Sequence, residues 1–192
     1  MTLILLLLIA AAVLVMGFIF IYNKLIHLIE AIKNNQKQID IQLDRRFKVF
    51  ESLLNVVKKY MDYEKSTLSQ VVALRSKAEA AVSSGDEKTR MEAENDISRI
   101  ASGINVVFEQ YPDLKANQSA LQLQEEIVNT ENKLAFAKQA LNDSIERYNA
   151  TKKSFIESII VSLFHNVLDQ NFLYWQLPEE TVKAREDYTV KF

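Results

Sequence analysis

Hydrophobic and polar positions divide the chain into one long apolar run followed by several amphipathic stretches. The run extends from Leu3 to Tyr22 and contains no charged residue. A helix rises about 1.5 Å per residue, so about twenty apolar residues cover the roughly 30 Å hydrocarbon core of a bilayer. We therefore predict a transmembrane anchor over residues 1–22. The positions that represent this anchor are Leu3, Leu8, Val13, Phe18 and, at the membrane interface, Tyr22.

A cleaved signal peptide is the alternative interpretation of this run. It requires basic residues before the apolar stretch, about 7–15 apolar residues and small residues at a cleavage site. No Lys or Arg precedes the run, and bulky residues follow the alanines at its centre. We therefore expect the anchor to be retained.

Charges beside the run predict the orientation of the anchor. Residues 1–2 carry no charged side chain, whereas Lys24, Lys33 and Lys37 follow the run. Basic residues near a membrane helix remain preferentially on the cytoplasmic side. We therefore expect the N-terminus outside and residues 23–192 in the cytoplasm.

The stretch after the anchor predicts a very long amphipathic helix. Residues 23–82 contain neither glycine nor proline, and their apolar residues recur mostly at steps of three and four. This spacing places the apolar side chains on one face of a helix. Because no helix-breaking residue separates this stretch from the anchor, a single continuous helix is compatible with the sequence.

Three further helices are predicted beyond the turn-forming residues 83–87. Tyr111 and Pro112 separate the first two, because proline lacks an N–H donor and disfavours helix at the preceding residue. No segment alternates with a period of two for long enough to form a strand. The three helices are expected over residues 88–110, 117–153 and 154–171.

The predicted fold is therefore all-α. It comprises a single N-terminal transmembrane helix followed by an antiparallel three- to four-helix bundle with a very long first helix. The expected domains are the anchor over residues 1–22, the bundle over residues 23–176 and an irregular tail over residues 177–192.

Composition and charge exclude several classes of site. The absence of cysteine excludes disulfides, thiolate metal sites and a cysteine nucleophile. The 25 acidic and 23 basic residues leave no excess of positive charge for binding nucleic acid. Neither His27 nor His165 follows a glutamate at the Glu-x-x-His spacing of di-iron bundles. We therefore expect no enzyme activity, no metal, no cofactor and no nucleic-acid partner.

Several short blocks of sequence are distinctive in combination. They are IDIQLDRR at residues 39–46, YPDLKAN at residues 111–117, TEN at residues 130–132 and VKF at residues 190–192. With these blocks the chain resembles the LemA family of bacterial membrane proteins. The resemblance implies one membrane helix, a cytoplasmic helical bundle and location in the bacterial cytoplasmic (inner) membrane. The resemblance supplies no enzyme activity for this chain, and it associates the chain loosely with envelope stress and HtpX-type membrane proteases.

Charged residues in the first block form a candidate contact site. Asp40, Asp44, Arg45 and Arg46 lie within about two helical turns. The simpler interpretation is a solvated cluster or a cluster of salt bridges between helices, and the alternative is a surface that docks a partner or contacts anionic lipid headgroups. Either arginine is expected to be able to reach Glu131 across the bundle.

The remaining candidate residues also have structural and functional interpretations. Glu131 and Asn132 lie beside the apolar stripe of a helix, where polar groups fix helix register or bind a partner. Asn117 is expected to cap the following helix, while Tyr111 and Pro112 stop a helix or form a recognition loop. Glu64, where the stretch that continues the first block ends, is a further candidate contact or register residue. Glu64 and Glu131 are also the residues to substitute in testing for an unrecognised hydrolase.

The helix over residues 154–171 carries a strongly apolar face. We expect this face to pack on the bundle; a helix lying on the membrane surface and a contact between subunits are the alternatives. The expected function is that of a non-enzymatic scaffold or adaptor. Its expected partners are the lipid bilayer, further copies of the chain in a homo-oligomer, and an unidentified membrane or cytoplasmic protein. Alternatives are an oligomeric membrane-organising protein and a partner or substrate of an HtpX-type protease.

Overall fold

A computed structural model describes residues 1–57, 65–110 and 112–176. No strand occurs within these ranges, so the predicted all-α class is confirmed. Glu64, Tyr111 and the predicted tail lie outside the described residues. The helices within them are α1 (Thr2–Val57), α2 (Lys65–Ser84), α3 (Glu87–Gln110), α4 (Pro112–Lys115), α5 (Gln118–Lys152), α6 (Phe155–Leu163) and α7 (His165–Leu168).

Helix α1 contains both the apolar run and the beginning of the amphipathic stretch. It is unbroken from Thr2 to Val57, so the continuity that the sequence allows is present. An 18-residue window of this helix has the length and composition of a membrane span, and none of the window is buried within the chain. This exposure is consistent with membrane anchoring.

The turn between α2 and α3 lies at the predicted position. Gly85 has a φ of 73°, a left-handed conformation that a glycine adopts without a steric penalty. The Asp86 carboxylate then accepts hydrogen bonds from the Thr89 amide at 3.1 Å and the Thr89 hydroxyl at 2.6 Å. These bonds lower the pKa of Asp86 and cap the first turn of α3.

The beginning of α5 confirms the predicted cap. The side-chain oxygen of Asn117 accepts a hydrogen bond from the Ala120 amide at 3.1 Å. One of the amides that the first helical turn leaves unpaired is thereby satisfied.

The predicted helix over residues 154–171 is wrong in its extent. Helix α6 ends at Leu163, the short α7 ends at Leu168, and residues 169–176 are not helical. Phe164 has φ −118° and ψ 35°, outside helical geometry. The Tyr148 hydroxyl donates to the Leu168 carbonyl and accepts from the Gln170 amide. These bonds to α5 hold the chain in the non-helical path that follows α7.

The chain forms two compact units. The first comprises Met1–Gln38 and Gln139–Tyr174, and the second comprises Ile39–Lys138 and continues from Trp175. In the first unit, Asn35 of α1 donates to the Ala140 carbonyl of α5 at 3.1 Å and to the Ser144 hydroxyl at 2.6 Å. In the second unit, the apolar core contains Phe50, Leu53, Ile97, Ala101, Leu114, Ala120 and Ile127.

Candidate functional site

Arg46 lies at the centre of the candidate site, in the second unit. Its side chain projects from α1, and the residue is 1% exposed. Its guanidinium forms an ion pair with the Glu94 carboxylate of α3 and lies 3.3 Å from a carboxylate oxygen of Glu131 on α5. The expected contact between an arginine of this block and Glu131 is therefore present.

Two further hydrogen bonds complete the environment of Arg46. Nη1 donates to the Ser98 hydroxyl at 2.8 Å and to the main-chain carbonyl of Glu94 at 3.2 Å. A buried guanidinium is costly unless its donors are paired. The bonds to α3 and α5 meet this requirement, and they favour one register of the three helices over others.

The neighbouring charged residues of α1 are also engaged in ion pairs. Asp40 pairs with Arg90, and Arg45 pairs with Glu126. Asp44 lies 2.7 Å from Lys48 and 4.0 Å from Arg75. The predicted cluster of salt bridges is therefore observed, with each acidic residue facing a basic one.

A small cavity lies beside Arg46. Its volume is about 150 Å³, below the roughly 300–1,000 Å³ of typical small-molecule sites. The Arg75 guanidinium covers the Phe47 ring at 3.7 Å from its centroid, a cation–π contact at the cavity wall. The mixture of apolar and paired charged walls fits a packing defect between helices better than a substrate pocket.

Asn95 connects α3 to α5 and to the segment after α7. Its side-chain oxygen lies 3.3 Å from Lys138 Nζ and accepts a hydrogen bond from Trp175 Nε1 at 3.2 Å. Its amide group donates to the Gln176 carbonyl at 2.9 Å. The Lys138 ammonium also lies 4.6 Å from the centroid of the Trp175 ring. These bonds hold residues 175–176 against α3 and α5 within the second unit.

Burial changes the acid–base properties of two side chains in this network. It lowers the pKa of Lys138 to about 8, and the positive charge of Arg46 contributes in the same direction. It also raises the pKa of Glu94, although the Arg46 charge opposes this effect. Burial therefore disfavours the charged form of each group, and neighbouring groups of opposite charge partly offset this effect.

A sequence model of the LemA family matches residues 35–192. This match covers most of the chain and includes Arg46, Glu94 and Glu131. The chain belongs to the LemA family. Protein LemA of Metamycoplasma hominis is 31% identical over 146 residues, which are 74% of this chain and 63% of that relative. The chain thus spans less than two thirds of the length of this curated relative.

The region shared with the LemA family contains polar residues that sequence reasoning missed. Glu94, Ser98, Asn95 and Lys138 all bind other helices or the segment after α7. The signal for Glu94 and Ser98 lies in α3, where Met91, Glu94, Ser98 and Ala101 follow one another at steps of three and four. Polar residues within such a stripe indicate buried partners on a facing helix.

We define the Arg46 cluster as Arg46, Glu94, Ser98 and Glu131. The remaining candidates of this LemA-family chain are not members of it. Pro112 is exposed at the first position of α4, and Asn117 caps α5. Asn132 is exposed on α5. These three residues do not form a common site with Arg46.

Proposed function

We propose that this LemA-family protein is a non-enzymatic, membrane-anchored scaffold or adaptor. Residues 3–22 hold it in the bacterial cytoplasmic (inner) membrane, with its helical bundle in the cytoplasm. The observation that carries the proposal is the apolar window of α1, which is entirely unburied within the chain. Exposure of this much apolar surface to water is unfavourable by about 25 cal/mol per Å², whereas a bilayer satisfies it.

The pairing of the charged residues supports a role without chemistry. Ion pairs within the second unit engage the charges of Asp40, Asp44, Arg45 and Arg46. General acid–base catalysis instead uses a group that is within reach of a substrate proton. The Arg46 cluster accordingly has a structural role, which is to fix the packing and register of α1, α3 and α5.

An exposed apolar stripe on α5 supports association with other proteins. It consists of Leu121, Val128 and Phe136, and Phe136 is 71% exposed. Asn132 lies on the same helix face, because the four positions are separated by steps of seven, four and four residues. Apolar side chains on one exposed face of a helix favour contact with a helix of another molecule. A second copy of the chain is the proposed partner of this stripe.

The association is tested with the full-length protein extracted in mild detergent. Light scattering is expected to give the mass of an oligomer, and the double variant Val128→Ser/Phe136→Ser is expected to reduce it. Ile41→Ser is the matched control, because Ile41 is an apolar residue that is 56% exposed on another helix. A monomeric wild-type protein that also forms no crosslinks in cells would refute the scaffold role.

The anchor is tested separately by extracting membranes with alkaline carbonate. The full-length protein is expected to remain in the pellet, and release into the supernatant would refute the transmembrane anchor.

Electron micrographs of the detergent sample distinguish the forms of assembly. Large uniform rings or cages would identify ordered membrane organisation as the mechanism, and crosslinking to an HtpX-type protease would identify a protease partner.

A further inference from the structure

Helix α6 exposes an apolar face in the first unit. We define the α6 apolar face as Phe155, Ile156, Ile159 and Leu163, continued by Phe164 and Val167. Phe155 is 83% exposed and Leu163 is 66% exposed, although Ile160 and Val161 on the other side of the helix are buried. A helix that is apolar on both sides is typical of a protein core or of a membrane.

The contacts of α6 with α1 place this face beside the end of the apolar run. The Phe164 ring packs against Phe18 and Tyr22, with centroid distances of 5.7 Å and 5.2 Å. At the other end of α6, Glu157 forms an ion pair with Lys24 at 3.0 Å. Helix α6 therefore extends from the level of Lys24 to the level of residues 18–22, the last turn of the apolar run.

This position agrees with the depth at which interfacial helices lie. From Tyr22 to Phe18 the helix axis rises about 6 Å, at about 1.5 Å per residue. Amphipathic helices on membranes bury their apolar face about 5–10 Å into the boundary between headgroups and acyl chains. If α1 crosses the bilayer, the C-terminal end of α6 reaches this boundary.

The polar side chains of α6 are suited to an environment with little water. Ser158 and Ser162 donate hydrogen bonds to the carbonyls of Phe155 and Ile159 at 2.8 Å and 2.7 Å. The Glu157 carboxylate is neutralised by Lys24. Helical hydroxyls bonded to their own main chain avoid the cost of an unsatisfied polar group in an apolar medium.

Basic residues flank the N-terminal end of α6. Lys153 is exposed just before the helix, and the Lys24 side chain is 44% exposed. Lysines at this level extend their ammonium groups to the headgroup layer while their stems remain near the apolar boundary. Because Glu157 balances the charge of Lys24, Lys153 supplies the positive charge that an anionic lipid surface matches.

We propose that the α6 apolar face lies in the interfacial layer of the same bilayer that residues 3–22 cross, giving the chain a second membrane contact. The inference rests on the proposed membrane anchoring. A bilayer is the occupant that the contacts favour, because the aromatic cluster of Phe18, Tyr22 and Phe164 makes the face continuous with the membrane span. Through this contact, α6 would restrict the tilt and rotation of the anchor.

Nitroxide spin labels on the full chain test the proposal. The sequence contains no cysteine, so a single introduced cysteine carries the label without removal of a native residue. Ile159→Cys and Leu163→Cys probe the α6 apolar face, and Val13→Cys reports the anchor. Ile41→Cys is the control, because Ile41 is 56% exposed, belongs to the second unit and lies outside the α5 stripe. The proteins are reconstituted into vesicles of phosphatidylethanolamine and phosphatidylglycerol.

The measurement compares collisions of each label with oxygen, which concentrates in lipid, and with a water-soluble nickel complex. The ratio of oxygen to nickel collisions is expected to be highest at 13, intermediate at 159 and 163, and lowest at 41. A lipid-like ratio at 13 with a water-like ratio at 163 would overturn this inference and retain the anchor. A water-like ratio at 13 would refute the anchor itself. Labels at 159 and 163 shielded from both reagents would overturn the inference in favour of contact with a second protein copy.

Discussion

Removal of the buried guanidinium by Arg46→Met is expected to destabilise the second unit strongly. The substitution deletes the ion pair with Glu94 and the hydrogen bonds to Ser98 and the Glu94 carbonyl. Methionine preserves most of the side-chain volume, so the main effect is electrostatic. The Glu94 side chain is only 12% exposed and would lose its ion-pair partner while it remains charged.

The magnitude follows from the exposure of the two carboxylates. Removing one partner of a buried ion pair costs about 3–5 kcal/mol in the free energy of unfolding. Glu131 adds little to this cost, because its side chain is 22% exposed and is able to turn toward water. Arg45→Met is the matched control: Arg45 and Glu126 are 44% and 31% exposed, and exposed ion pairs contribute about 0.2–1 kcal/mol.

Denaturant unfolding of the full chain in detergent, followed by circular dichroism, measures these differences. The double variant Arg46→Met/Glu94→Leu is expected to recover about 2 kcal/mol or more relative to Arg46→Met, because it removes the unpaired charge. Arg46→Met is also expected to regain stability as the pH falls, since burial raises the pKa of Glu94 and protonation neutralises it. A loss below about 1 kcal/mol, or no recovery in the double variant, would refute the reasoning.

Three further measurements examine other features by denaturant unfolding. Asn117→Ala removes the cap of α5 and is expected to cost about 1 kcal/mol, with Asn132→Ala as the exposed control; equal effects would contradict the cap. Gly85→Ala forces a side chain into φ 73° and is expected to cost about 1–2 kcal/mol; an unchanged midpoint would contradict this strain. Folding lowers the pKa of Lys138 to about 8, so between pH 8 and about pH 10 the unfolded chain binds more protons than the folded chain. The free energy of unfolding is therefore expected to rise with pH relative to that of Lys138→Met, by about 2 kcal/mol at pH 9.5. Parallel pH profiles of the two proteins would contradict the burial of the Lys138 charge.

Much of the fold follows from short-range properties of the sequence. The helical stripes, the turn at Gly85 and the cap at Asn117 depend on residues within a few positions of one another. A contact between Glu131 and either Arg45 or Arg46 was also predictable, because a charged residue next to an apolar stripe requires a partner on a facing helix; only the folded chain assigns it to Arg46. Local periodicity and the cost of burying charge are sufficient for these features.

Features that depend on distant residues were not predictable in the same way. The interruption at Phe164 lies inside an apolar stretch without a breaker, and bonds from Tyr148 hold the chain that follows it. Likewise, Asn95 is bonded to Gln176, 81 residues away. Composition identifies such residues as polar, but pairing them requires the distances of the folded chain.

The wide sequence separation within the Arg46 cluster has a consequence for the rate of folding. Arg46 lies 48 residues from Glu94 and 85 residues from Glu131. The entropy of closing these loops is lost before the ion pairs form, so such contacts slow folding relative to helical bundles with local contacts. During synthesis, α1 emerges from the ribosome before either glutamate is available. An incomplete chain therefore exposes the apolar face of α1 and the unpaired arginine until α3 and α5 have been made, and transiently exposed apolar surface of this kind is prone to aggregation.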